Sequence, residues 1–162
     1  MKHTILLLAF SSLLAAQGQK APAMSDPKYG DAAAIRALPL AKLNALLMDS
    51  QASEYAKAKA CQRLATVGDR TSVNALAAHL GDERLSSYAR TALEQIPGDE
   101  AAGVLRTALA KWHGNALIGI INSIGVRRDA KAVDALSRLL HSPDPGVRQA
   151  ASAALARIRP PL

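Results

Sequence analysis

Few residues in this chain could do chemistry, and their spacing argues against catalysis. Cys61 is the one cysteine. It cannot form an intramolecular disulfide, and it sits beside Ala60 in an apolar stretch, which reads as a buried, inert thiol. A reactive thiol, or one that pairs between molecules, is the alternative. His79, His113 and His141 stand far apart, each near the end of a first helix of a helical pair. Zinc needs three or four ligands in fixed geometry, so no metal is expected. No serine occupies a Gly-x-Ser-x-Gly turn, no Gly-rich loop could cradle a phosphate, and no haem-attachment motif occurs. Asp82, Glu83, Asp99 and Glu100 fall at helix starts, where capping and the helix dipole account for them. No catalytic residue, cofactor or metal is assigned, and the chain is read as a binding protein and not an enzyme.

The elements that would position a binding surface are helices. Of 162 residues, 34 are Ala and 23 are Leu, and only 3% are aromatic. Ala and Leu lead the helix-propensity scale. Helices are predicted near 39–48, 53–67, 70–80, 84–96, 100–111, 114–125, 130–141 and 145–158. Asp69, Asp99 and Asp129, placed 30 residues apart, are each expected to cap the helix that follows. Asp144–Pro145 is a further start signal.

The helices repeat in pairs. "LATVGDRTSVNAL" at 64–76 returns in outline as "INSIGVRRDAKAVDAL" at 121–136. The second helices align without gaps on Val67, Ile96, Ile124 and Ile158, which lie 29, 28 and 34 residues apart. Three positions earlier stand Leu64, Leu93, Ile121 and Leu155, and seven earlier Ala60, Ala89, Leu117 and Ala151. These offsets share one helical face. A period of about 30 residues with two helices per unit marks an α-solenoid.

The last unit, "DPGVRQAASAALARI" at 144–158, carries a cap, then Val–Arg, then Ala at helical spacing, then Leu and Ile. With it the sequence resembles the HEAT-repeat family, including its PBS-lyase-type HEAT-like subset. Unit one offers Lys57 at the position of Arg148, while units two and three depart there, with Ser86 and Gly114. "ERLSSYARTALEQIP" and "ALIGIINSIGVRRDAKAVDAL" are similar to exported HEAT-like proteins of planctomycete-type bacteria. The resemblance covers about residues 40–159. It implies an all-α fold: a right-handed α-solenoid of about four helical hairpins, HEAT/armadillo-like, with the second helices along its concave side. It also implies a non-catalytic protein-interaction module or scaffold with a protein or peptide partner.

Residues 1–18 read as a secretory signal peptide: Lys2, an apolar run from Ile5 to Ala16, then small residues. The expectation is an exported, periplasmic or secreted protein with no transmembrane segment after cleavage. Residues 19–38 read as a linker or N-terminal arm, with a helix starting near Asp31, and 39–162 as the repeat domain. Loss of the leader changes the net charge from +7 to 19 minus 13, or +6. Arg127, Arg128 and Lys131 cluster at one seam and read as a solvated face, so removing Arg127 is expected to cost within about 0.5 kcal/mol. The alternative is a basic adaptor for an anionic surface, either envelope lipid or nucleic acid, or else a lyase-like accessory protein. No specific nucleic acid is expected, since export removes the chain from the chromosome and few aromatics remain to stack on bases.

One polar stripe is the candidate site. Offsets −9, −5 and −2 from the anchors place Gln62, Ser87, Thr91, Glu94, Asn115, Asn122 and Gln149 beside the core face, with Gly119 and several alanines. Short hydrogen-bonding side chains in a row could hold an extended peptide or a partner helix. They could equally be the exposed positions of amphipathic helices.

Overall fold

The computed structural model describes residues 24–158, so the expected leader and residues 159–162 lie outside it. A two-strand ribbon opens the described chain, with β1 (Ser25–Asp26) antiparallel to β2 (Gly30–Asp31). α1 (Ala32–Arg36) follows, with Asp31 accepting from the backbone N–H groups of Ala33 and Ala34. Then come α2 (Leu40–Met48), α3 (Glu54–Val67), α4 (Val73–Ala77), α5 (Ser86–Gln95), α6 (Asp99–Ala108), α7 (Gly114–Val126), α8 (Val133–Leu139) and α9 (Pro145–Ile158). Four hairpins result: α2/α3, α4/α5, α6/α7 and α8/α9. The second helices pack in succession, α3 on α5, α5 on α7 and α7 on α9, and α2, α4 and α6 form a parallel row behind them. The fold is an all-α solenoid.

Two first helices are shorter than expected because both ends tighten. The Asp69 carboxylate accepts from Thr71 N–H and starts a 3-10 turn over Arg70–Ser72 before α4. After α4 the chain continues through i→i+3 bonds at His79, Leu80 and Asp82. The fourth hairpin repeats this, with Asp129 opening a 3-10 turn over Ala130–Ala132 ahead of α8. Such turns are common at helix ends. Asp144 starts α9 by accepting from the N–H groups of Gly146 and Val147.

Asp99 departs from the expected pattern. The cap position is Gly98, which takes a φ of 97°, and Asp99 is already inside the helix. Its carboxylate turns to Arg106 and Lys131, at 3.0 Å from each. The 30-residue recurrence of Asp is real, but the second of the three forms ion pairs and is not a cap.

The core follows the anchor alignment. Leu64, Leu93 and Ile121 are fully buried, as are Ile96 and Ile124. Ala60, Ala89, Leu117 and Ala151 are buried one turn further back. Leu155 and Ile158, on the last helix, are only partly buried because α9 has α7 on one side and no following hairpin among the described residues. Val67 is more exposed than its counterparts, since it is the final residue of α3. At the α7–α9 junction a Cβ on Gly125 would lie 2.9 Å from Ala154 Cα, so the glycine lets the two backbones approach.

The stretch expected as an arm is packed. Ile35 is fully buried, and α1 and β1 lie against α3. Asp26 is buried and accepts from the backbone N–H groups of Lys28 (2.8 Å), Tyr29 (2.9 Å) and Ser53 (2.7 Å). Asp49 accepts from Lys28 Nζ at 2.6 Å and from Tyr29 Oη at 2.7 Å. The ribbon and α1 thereby cover a flank of the first hairpin.

Burial works against the Asp26 charge, but the hydrogen bonds from Ser53, Tyr29 and Lys28 outweigh it and hold the carboxyl down to about 2. A lowered carboxyl stabilises the fold above its unfolded value, 3.8, and loses that contribution as pH falls towards 2. The Asp26→Asn variant should therefore be about 2 kcal/mol less stable at pH 7. The gap to the parent should narrow between about pH 4 and pH 2. Urea melts across that range measure it; a gap independent of pH would show that the charge contributes nothing.

Candidate functional site

The polar stripe lies on the exposed side of the second helices, where small side chains leave space between them. Between α3 and α5 a groove of about 330 Å³ is lined by Gln62, Ala65, Ser87, Tyr88 and Thr91. It adjoins a second hollow of about 420 Å³ that shares Gln62 and Tyr88 and reaches Tyr55 and Met24. Between α5 and α7 lies a cleft of about 700 Å³, whose lining includes Ser86, Ser87, Arg90, His113 and Asn115. Ser87 borders both the α3/α5 groove and the α5/α7 cleft, so the hollows follow one another across three helices.

Gln62, Ser87 and Thr91 are thus brought together, and Asn115 joins them through Ser87. All four are exposed. Gln62 accepts a hydrogen bond from Lys59 Nζ at 3.2 Å. Asn122 and Gln149 are exposed on α7 and α9 but line none of these three hollows. Glu94 serves another purpose. It is half-buried and its carboxylate accepts from Ser123 Oγ at 2.6 Å. Ser123 is itself buried, so Glu94 satisfies a core hydroxyl and ties α5 to α7.

The residue that the stripe misses is Arg90. It lies half-buried in the wall of the α5/α7 cleft, with its guanidinium packed against Gly119 of α7. A Cβ at position 119 would collide with it. The signal in the sequence is positional: six residues before the anchors stand Cys61, Arg90, Ile118 and Ser152. An arginine replaces an apolar or small residue there in the second unit alone.

Arg127 of the basic seam is not part of a solvated face, although Arg128 and Lys131 are exposed. Arg127 Nη1 donates to the carbonyls of Leu93 (2.6 Å), Glu94 (3.1 Å) and Ile96 (2.7 Å), and Nη2 donates to Gly98 O at 2.8 Å. One guanidinium therefore closes the C-terminus of α5, where the last carbonyls have no helical partner. Arg106 pairs with Asp99 at 3.0 Å and with Asp129 at 2.6 Å, and Lys131 reaches Asp99. Lys131 and Arg106 hold the Asp99 carboxyl below its ordinary value. Arg148 donates to the carbonyls of Ser142 and Pro143. Arg128, at a φ of 51°, and Arg157 are exposed.

Cys61 and His79 are held in structural surroundings. Burial pushes the Cys61 thiol up to about 12, which leaves it protonated and unreactive at neutral pH. His79 is half-buried with Nε2 2.8 Å from Leu47 O, a structural contact between the first two hairpins. Among the described residues no group of three or more His, Cys, Asp or Glu could hold a metal ion. No helix there is long and apolar enough to cross a membrane.

The HEAT repeats family model matches residues 103–162, a stretch that runs from within α6 through α9. The match supports a HEAT-repeat family for the chain. It falls on the last two hairpins, and α2 to α5 repeat the same arrangement before them. No curated protein matches the sequence. HEAT repeats generally mediate protein–protein interaction, and proteins built from them are typically non-catalytic.

Proposed function

We propose that this chain is an exported, non-catalytic interaction module that holds a partner protein segment along its second helices. The observation that carries the reading is the linked row of hollows across α3, α5 and α7, bordered by Gln62, Ser87, Thr91 and Asn115. Solenoids use extended surfaces of this kind for binding. Export rests on the leader-like residues 1–18. The finer likeness, to PBS-lyase-type repeats of exported planctomycete-type proteins, rests on the residues of the second, third and fourth units.

The test is capture of a partner from the envelope fraction of a secreting host, beginning with N-terminal sequencing of the chain recovered there. Cleavage near residues 16–18 is expected; an intact Met1 would contradict export. Thr91→Ala and Asn115→Ala should leave stability within about 0.5 kcal/mol, as exposed changes do. Each should weaken partner binding by more than about 1 kcal/mol. Arg157→Ala should do neither, at low or high salt. If Arg157→Ala abolishes binding while Thr91→Ala and Asn115→Ala do not, the protein is instead a charge-driven adaptor, and its binding should collapse with added salt.

A further inference from the structure

Arg90 is a cation that the fold does not use. Arg84, Arg106, Arg127 and Arg148 all donate to carboxylates or backbone carbonyls. No hydrogen bond or ion pair to Arg90 occurs among the described residues, and burial disfavours its charged form. The carboxylate that acts on it is Glu94, whose Oε1 accepts from Ser123 and which makes no hydrogen bond to Arg90. Asp82 lines the same cleft, but its Oδ1 is engaged by the N–H groups of Arg84 and Leu85. Glu83 is exposed on the lining as well. Arginine keeps its charge in proteins, so the cleft presents a half-desolvated planar fork of donors with no acceptor. The seat for that fork is Gly119, a residue that weakens a helix interior and that here makes room for the guanidinium.

The surroundings narrow the occupant. A carboxylate matches a guanidinium in a two-pronged geometry. A phosphate, with nearly two charges, would meet roughly twice the repulsion from Asp82 and Glu83 that a singly charged carboxylate meets. From this cleft the trough continues past Ser87 and Thr91 to Tyr88, Tyr55 and the exposed Met24. We propose that the trough takes an extended peptide segment of a partner protein, with an aspartate or glutamate side chain on Arg90 and an apolar side chain between Tyr55 and Tyr88. This rests on the reading of the second helices as the binding face.

The test is selection of an unphosphorylated eight-residue peptide display library on the full chain. Enriched peptides should carry Asp or Glu at a fixed spacing from an apolar residue. Binding of the best synthetic peptide should fall about tenfold or more with Arg90→Gln, and equally when its own acid is made the amide. Combining both changes should cost little beyond either alone, the mark of a direct pair. Arg90→Lys should lie between, since it keeps the charge without the fork. A thermal melt of Arg90→Gln matching the parent confirms that the fold is intact. Winners without an acid, or binding that ignores Arg90→Gln, overturn the proposal. If those winners still respond to Thr91→Ala and Asn115→Ala, the interaction face survives and only the carboxylate contact falls. A library that enriches nothing overturns both.

Discussion

Replacing Ile121 with alanine should destabilise the protein by about 2–5 kcal/mol, the range for emptying a large site in a packed core. Ile121 is fully buried near the middle of α7, the helix that packs against α5, α6 and α9. Its side chain is therefore enclosed by packed helices, and the surroundings can relax into the gap only in part. Leu155→Ala provides the comparison. Leu155 has the same offset from its anchor, but on α9 it is only partly buried, so it should lose clearly less. Urea melts of both variants decide the matter. Equal and small losses would mean that the stacking of the third hairpin between its neighbours is wrong.

The second large effect belongs to a residue on the surface of the sequence pattern. Arg127→Ala should cost about 2–3 kcal/mol, because hydrogen bonds to charged groups are stronger than neutral ones and four acceptors lose their donor together. Water can reach Gly98 O more easily than the carbonyls of Leu93 and Ile96, so the loss should fall mainly on the end of α5. Arg127→Lys should recover less than half, since a single ammonium cannot span four carbonyls. Hydrogen exchange would show the amides near Gln95 and Ile96 losing protection before the rest of the stack. A loss within about 0.5 kcal/mol, the cost of an ordinary exposed change, would show that the bonds to α5 contribute nothing net.

These two residues show what periodicity can and cannot tell. Ile121 was legible because burial on a helix repeats with the turn of the helix, and neighbouring units repeat the same face. Arg127 is not, because a long side chain can reach in several directions, and its acceptors lie 29 to 34 residues earlier in the chain. Glu94 fits the polar stripe by spacing, yet its partner Ser123 is a hydroxyl in the next unit that no local pattern announces. The ribbon at Ser25–Asp31 leaves no mark in the sequence pattern because two-residue strands have no period and Pro and Gly surround them. Its order comes from Asp26 and Asp49, each of which bonds across more than 19 residues. The hollows beside Ser87 and Thr91 arise from the gaps between helices, and a stripe on one helix says nothing of the distance to the next.

The seam network has one more consequence, for how such an array could have grown. Arg127 grips the end of the helix one unit earlier, Lys131 reaches back to Asp99, and Arg106 reaches forward to Asp129. Each link joins one particular hairpin to one particular neighbour, with side chains that the other junctions lack. The hairpins are therefore not interchangeable beads on a string. A copy of the third unit spliced in beside the original would bring Ala101 to the place of Lys131, and the Asp99 before it would lose that partner. The order of the units is written into their junctions, and lengthening this array requires new junctions as well as new hairpins.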